Sequence, residues 1–215
     1  MGFRRLRFVG SMIVAVLPLT AHGVSIAEQE YQEVLRAKPA MVHGEELFET
    51  CAACHGTDGA GTRDGNVPAI AAQHLRVIAR ELVDYRHDKR WDERMQHFSD
   101  EHHLSGAQEI ADVAAYISDL QPKRTLGPER GENLDHGADV YARLCASCHG
   151  PAAEGDNLKR YPRLAGQHFE YLLRQMHDAV EGRRPNFPRE HVSLLKRFEQ
   201  PDFVAVAGYL ARLGS

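Results

Sequence analysis

The 215 residues carry 26 basic and 30 acidic side chains, a formal net charge of −4, and four cysteines. The charge is uneven: residues 28–121 hold 9 basic and 18 acidic residues, and residues 122–215 hold 14 and 12. An acidic first half argues against nucleic acid as a partner, and a dipolar chain can steer its two ends toward different partners.

Residues 1–27 read as an export leader. Arg4, Arg5 and Arg7 precede the apolar run Phe8 to Leu19, and small residues follow. Cleavage after Ala27 fits Ser25 two positions before it, with Gly23 as the second choice. The apolar run is short for a membrane span of roughly 20 residues. Residues 28–40 then form an extra helix or an arm.

From residue 41 the chain repeats. Cys51-Ala-Ala-Cys54-His55 and Cys145-Ala-Ser-Cys148-His149 lie 94 residues apart, and the same offset relates Pro68 to Pro162, Gln73-His74 to Gln167-His168, and Arg90 to Arg184. A register held this long means a duplicated domain, here 41–121 and 134–215. In the first copy the spacing predicts a short helix over 44–50 leading into the cysteines. A Gly-rich loop follows over 56–65, then a longer helix over 74–87. The last helix is amphipathic and carries Ile110, Val113, Ala114 and Ile117. The linker 122–133 contains the helix breakers Pro122, Gly127, Pro128 and Gly131. The second copy predicts helices over 137–144 and 168–180 and a last helix with Phe203, Val206, Ala207 and Leu210. No segment alternates as a strand does. The fold class is all-α, in two tandem domains.

All four cysteines sit in the two motifs. A Cys-x-x-Cys pair alone suits a redox disulfide or half a zinc site, but the adjacent histidine selects haem attachment. Two thiols one helical turn apart form thioethers with the vinyl groups, and His55 or His149 faces the iron as proximal ligand. Two covalent haem c groups are therefore expected.

With the flanking Pro-Ala-Ile-Ala-Ala-Gln (68–73) and Pro-Arg-Leu-Ala-Gly-Gln (162–167), the chain resembles the dihaem cytochromes of the cytochrome c4 type, built from two class I cytochrome c domains. The resemblance implies a periplasmic electron carrier without catalysis of its own, passing electrons between membrane or periplasmic redox proteins. It also implies that the carbonyls of Pro68 and Pro162 accept hydrogen bonds from the proximal imidazoles.

The family places a distal methionine in the loop before the last helix, and here the chain departs from it. Beyond the leader only Met41, Met95 and Met176 occur, and Met176, opposite Leu82 in the repeat, reads as core. His191 stands in the second loop and is the expected ligand of the second iron. In the first domain the ungapped register favours His97, opposite His191. Met95 needs a two-residue slip, and His102 and His103 are minor alternatives. His74 and His168 read as caps or surface residues, Trp91 as a packing residue, and Arg183-Arg184 either meet a propionate or face solvent. The competing reading is a dihaem enzyme, a peroxidase or a thiosulfate-oxidising dehydrogenase, or the electron-transfer subunit of a larger complex. A dehydrogenase of that type uses a distal cysteine, and this chain has no fifth one.

Overall fold

The computed structural model describes residues 1–2, 24–121 and 131–213. Most of the expected leader and of the 122–133 linker lies outside them. Among the described residues there are ten helices, no strands, and no helix long and apolar enough to cross a membrane.

The first domain begins with α1 (Ile26–Arg36), whose first turn is capped by the Ser25 side chain. Ala27, Tyr31 and Val34 on one face are buried. The polar side is tied down as well: Arg80 pairs with Glu28 at 2.6 Å, His87 meets Glu30 at 2.6 Å, and Arg86 also pairs with Glu30. Residues 26–36 are thus a docked helix, and a leader boundary after Ala27 would fall inside it, removing the Ser25 cap and the buried Ala27. α2 (Met41–His55) carries the first cysteine motif in its last turns. α3 (Leu75–Arg86), the short α4 (Glu93–Phe98) and α5 (Ala107–Asp119) complete the domain.

The second domain repeats the plan. α6 (Leu134–Leu144) and α7 (Ala146–His149) together match α2, interrupted at Cys145. α8 (Phe169–Val180), α9 (Arg189–Leu195) and α10 (Gln200–Arg212) follow. α2 runs further than the spacing predicts, through the cysteines to His55, whereas α6 ends at Leu144 as expected and the separate turn α7 carries the second motif to His149.

One close helix crossing fixes each domain. α2 lies against α5 at Gly44, where a Cβ would stand 2.3 Å from the Asp112 carbonyl oxygen. α6 meets α10 at Gly137 with the same clash, 2.1 Å from the Ala205 oxygen. Only glycine allows backbones this close. Histidines beside these glycines strengthen the crossings: His43 meets Asp112 at 2.9 Å and His136 meets Asp202 at 2.6 Å. The cores are aliphatic, around Val83, Ile110 and Val113 in one domain and Val140, Leu172 and Val206 in the other.

The domains join through a pseudo-twofold exchange. The Gln167 side chain accepts from Ala69 N at 3.0 Å and donates to Ala69 O at 2.8 Å, while Gln73 does the same to Arg163, at 2.9 and 3.0 Å. His74 Nε2 donates to the Glu154 carbonyl at 2.9 Å and His168 Nε2 to the Ala60 carbonyl at 2.7 Å. Neither histidine makes a side-chain capping bond, so the sequence expectation of capping or surface roles gives way to an interface role.

Candidate functional site

Each cysteine motif sits on a helix end facing a common cavity. The inner thiols, Cys51 and Cys145, are pushed up to about 11 by burial, so they are protonated near neutrality and weak nucleophiles until activated. The outer thiols, Cys54 and Cys148, are exposed, and all four cysteines are free of disulfides.

His55 and His149 are 6% and 8% exposed. Each donates from Nδ1 to a proline carbonyl at 3.0 Å, His55 to Pro68 and His149 to Pro162. The loop that brings each carbonyl in crosses a glycine of positive φ, Gly61 or Gly155, whose own N–H returns to the histidine carbonyl at 2.7 Å. Burial holds both imidazoles below their ordinary pKa, against the opposing pull of the proline bond. A neutral ring with Nδ1 donating leaves the Nε2 lone pair as its basic site, the arrangement of an oriented metal ligand.

The cavity is continuous across both domains, with a volume of about 1490 Å³, and reaches His55, His149, Met95 and His191. It exceeds the roughly 300–1,000 Å³ of a single-ligand pocket, as two macrocycles require.

His191, on α9, faces His149 across the second half of the cavity. Their ring centres are 6.1 Å apart. Two imidazoles bound to opposite faces of one metal, at about 2.0–2.1 Å each, have centres roughly 6 Å apart. Phe187 stacks on the His191 ring at 4.9 Å. His191 Nδ1 is buried without a hydrogen-bond partner among the described residues. Burial first, then His149 and Arg184, lower its pKa to about 4, so the ring is neutral and able to ligate at physiological pH. These residues fit a haem iron that His149 and His191 would hold between them.

In the first domain the structure places Met95 in the cavity wall, packed against the core around Leu82 and Leu104. His97 is not in that wall. Its side chain is 63% exposed and turns toward Asp100, 3.6 Å away. His103 also meets Asp100, at 3.0 Å, and His102 is exposed. The ungapped register favours His97, but the structure turns it outward: one turn of helix carries both residues, and Met95 holds the inward face. Met176 packs with Leu195 and Phe203 as a core residue. Trp91 is 58% exposed and lines the cavity.

A buried charge cluster stands between the two halves of the cavity and was not anticipated. Glu81 accepts from Arg90 and from Arg184, both at 2.6 Å. Arg90 also reaches Tyr171 and Gln175, and Arg184 reaches Gln175. Burial pushes the Glu81 carboxyl up, but the two guanidiniums overcome it and hold it at about 2. The matched arginines of the repeat were the available signal. Arg183 faces outward and pairs with Asp178 at 2.7 Å.

The family model described as "Cytochrome c" matches residues 41–121 and 134–203. Cytochrome c4 of Azotobacter vinelandii is 29% identical over 193 residues, covering 79% of this chain and 87% of the relative. A protein of Stutzerimonas stutzeri named thiosulfate dehydrogenase electron acceptor is 31% identical over 177 residues, covering 76% and 79%. The crystal structure of reduced recombinant cytochrome c4 from Pseudomonas stutzeri superposes with a TM-score of 0.70 at 24% identity, covering 82% of this chain and all of that one, and shows the shared fold. Two cytochrome c domains, each ending a helix in Cys-x-x-Cys-His, identify the chain as a member of the cytochrome c4 family: a dihaem electron-transfer cytochrome with one covalent haem in each half.

Proposed function

We propose that the chain relays electrons between redox proteins of the bacterial periplasm, and that His55 and Met95 would hold the haem iron of the first domain and His149 and His191 that of the second. Each haem, when bound, supplies a one-electron iron(III)/iron(II) couple. The chain's residues do the rest. The proline carbonyls of 68 and 162 orient the proximal rings and raise their basicity. Met95 and His191 would hold each iron from across the cavity, so that a bound haem would offer no open position to peroxide or a sulfur substrate. The observation that carries this reading is the facing pair His149–His191 at 6.1 Å.

Export belongs to the same reading. Ser25 caps α1 and Ala27 is buried, which favours leader removal after Gly23, since that boundary leaves α1 whole. Partners are redox proteins. The relative named as acceptor of a thiosulfate dehydrogenase supplies one donor class, a sulfur-oxidising enzyme. Catalysis of that oxidation by this chain lacks support, because its four cysteines are all committed to the two motifs.

The test is exposure of the reduced, exported holoprotein to carbon monoxide under mild conditions. An unchanged spectrum is expected at both irons. Rapid binding at either would favour the enzyme reading.

A further inference from the structure

His97 faces away from the haem cavity, and its surroundings have a chemistry of their own. It lies at the end of α4. Three and six residues on, in the following turn, stand Asp100 and His103. Ligand atoms of the three residues lie within 4.8 Å of one another. His103 Nδ1 shares a hydrogen bond with Asp100 Oδ1 at 3.0 Å, and His97 Nδ1 lies 3.6 Å from Asp100 Oδ2, separations that an ion could take over by displacing the imidazole proton. Tetrahedral coordination with bonds of about 2.0–2.1 Å spaces its ligands roughly 3.3 Å apart.

The carboxylate is already fixed. Asp100 Oδ1 accepts from the backbone of His102 at 2.9 Å and of His103 at 3.2 Å. The imidazoles are preorganised too: their rings meet edge to face at 4.4 Å, and each rests on Phe98, at 5.1 and 5.2 Å. Phe98 in turn lines the haem cavity. His97 and His103 are accessible to solvent on their outer sides, so an ion can enter and keep a water.

We propose that His97, Asp100 and His103 bind a divalent zinc-class transition ion on the outer face of the first domain's distal helix. Two imidazoles and one carboxylate, with a fourth position left to water, form a donor set suited to zinc and its late first-row neighbours rather than to magnesium or calcium. The proposal rests on the reading that Met95, not His97, is the iron ligand. The ion would clamp the end of α4 to the turn 99–103, two residues from Met95. A dication there favours the less positive, reduced state of the adjacent iron, so binding should raise the midpoint potential of the first haem and leave the second unmoved.

The experiment is a calorimetric titration of the oxidised holoprotein with zinc chloride, followed by redox titration with and without zinc. His97→Ala and His103→Ala should each weaken one binding event at least tenfold and abolish the potential shift, with both haem spectra unchanged. Zinc binding that survives in the double variant, with unchanged spectra, would overturn this proposal and leave the ligand reading intact. Loss of the low-spin signal of the first haem in His97→Ala would overturn both.

Discussion

The two distal helices, α4 and α9, do the same job from different registers. The proximal histidines are 94 residues apart, and so are the starts of α3 and α8. α4 starts at Glu93 and α9 at Arg189, 96 residues apart, whereas α5 and α10 start 93 apart. The second domain reaches its distal helix through eight residues, 181–188, and the first through six, 87–92. It then shortens the next connection, 196–199 against 99–106. At 3.6 residues per turn, two residues rotate a helix by about 200°. The residue opposite His191 in the ungapped register therefore lands on the far side of α4. Counted from the helix start, the third residue points inward in both domains: Met95 in one, His191 in the other. A duplicated domain keeps its elements in place and lets loops absorb the drift, so helix position, not chain offset, decides which residue faces inward.

The largest expected effect breaks this comparison directly. His191→Ala should convert the second iron to a high-spin form open to carbon monoxide, and Met95→Ala should do so at the first alone. Optical and magnetic spectra of the two variants check the outcome. In the unaltered protein a thioether on the first iron and an imidazole on the second should give the first haem the higher potential, and Met95→His should bring the two together. Equal potentials in the parent protein would sink the asymmetric assignment.

The second effect concerns the same asymmetry at the interface. Arg90 and Arg184 are repeat partners, but the residue opposite Glu81 is Gln175. One carboxylate thus serves two guanidiniums. Glu81→Gln would leave two buried arginines facing two amides, and should destabilise the protein by about 3 kcal/mol near neutral pH. The pH dependence has a fixed sign. The folded carboxyl is held at about 2, below its ordinary 4.5, so its contribution is present above 4.5 and is lost as pH falls through 2. Denaturant unfolding of the two proteins should diverge most near neutrality and converge toward pH 2. A constant gap across that range would remove Glu81 as the cause.

What was legible beforehand follows from how local each signal is. The cysteine motifs and the amphipathic last helices are written in short spacings and the repeat in one constant offset, and the helices expected from them lie in place, whereas α4 and α9 form where the sequence reads only as loop. The inward face of α4 was not legible, because a six-residue helix has too few turns to show an apolar stripe and the loop before it changes length. Docking of α1 was also hidden: its buried face is only Ala27, Tyr31 and Val34, and its partners lie about fifty residues on. The interface glutamines were visible as a repeated Gln-His pair, but nothing local said that each would reach into the other domain.

Those glutamines give the smallest and most symmetric test. Each makes two hydrogen bonds to one backbone residue of the opposite domain, Gln73 to Arg163 and Gln167 to Ala69, at 2.8–3.0 Å. A net contribution of about 1 kcal/mol per bond predicts a loss of about 2 kcal/mol for Gln73→Ala and the same for Gln167→Ala. The distal helices and the arginine cluster depart from twofold symmetry; this pair does not, so the two losses should agree within error in denaturant unfolding of the oxidised holoprotein. A loss confined to one variant would mean that the exchange is held from one side only, and that the asymmetry of the haem environments extends into the interface between the domains.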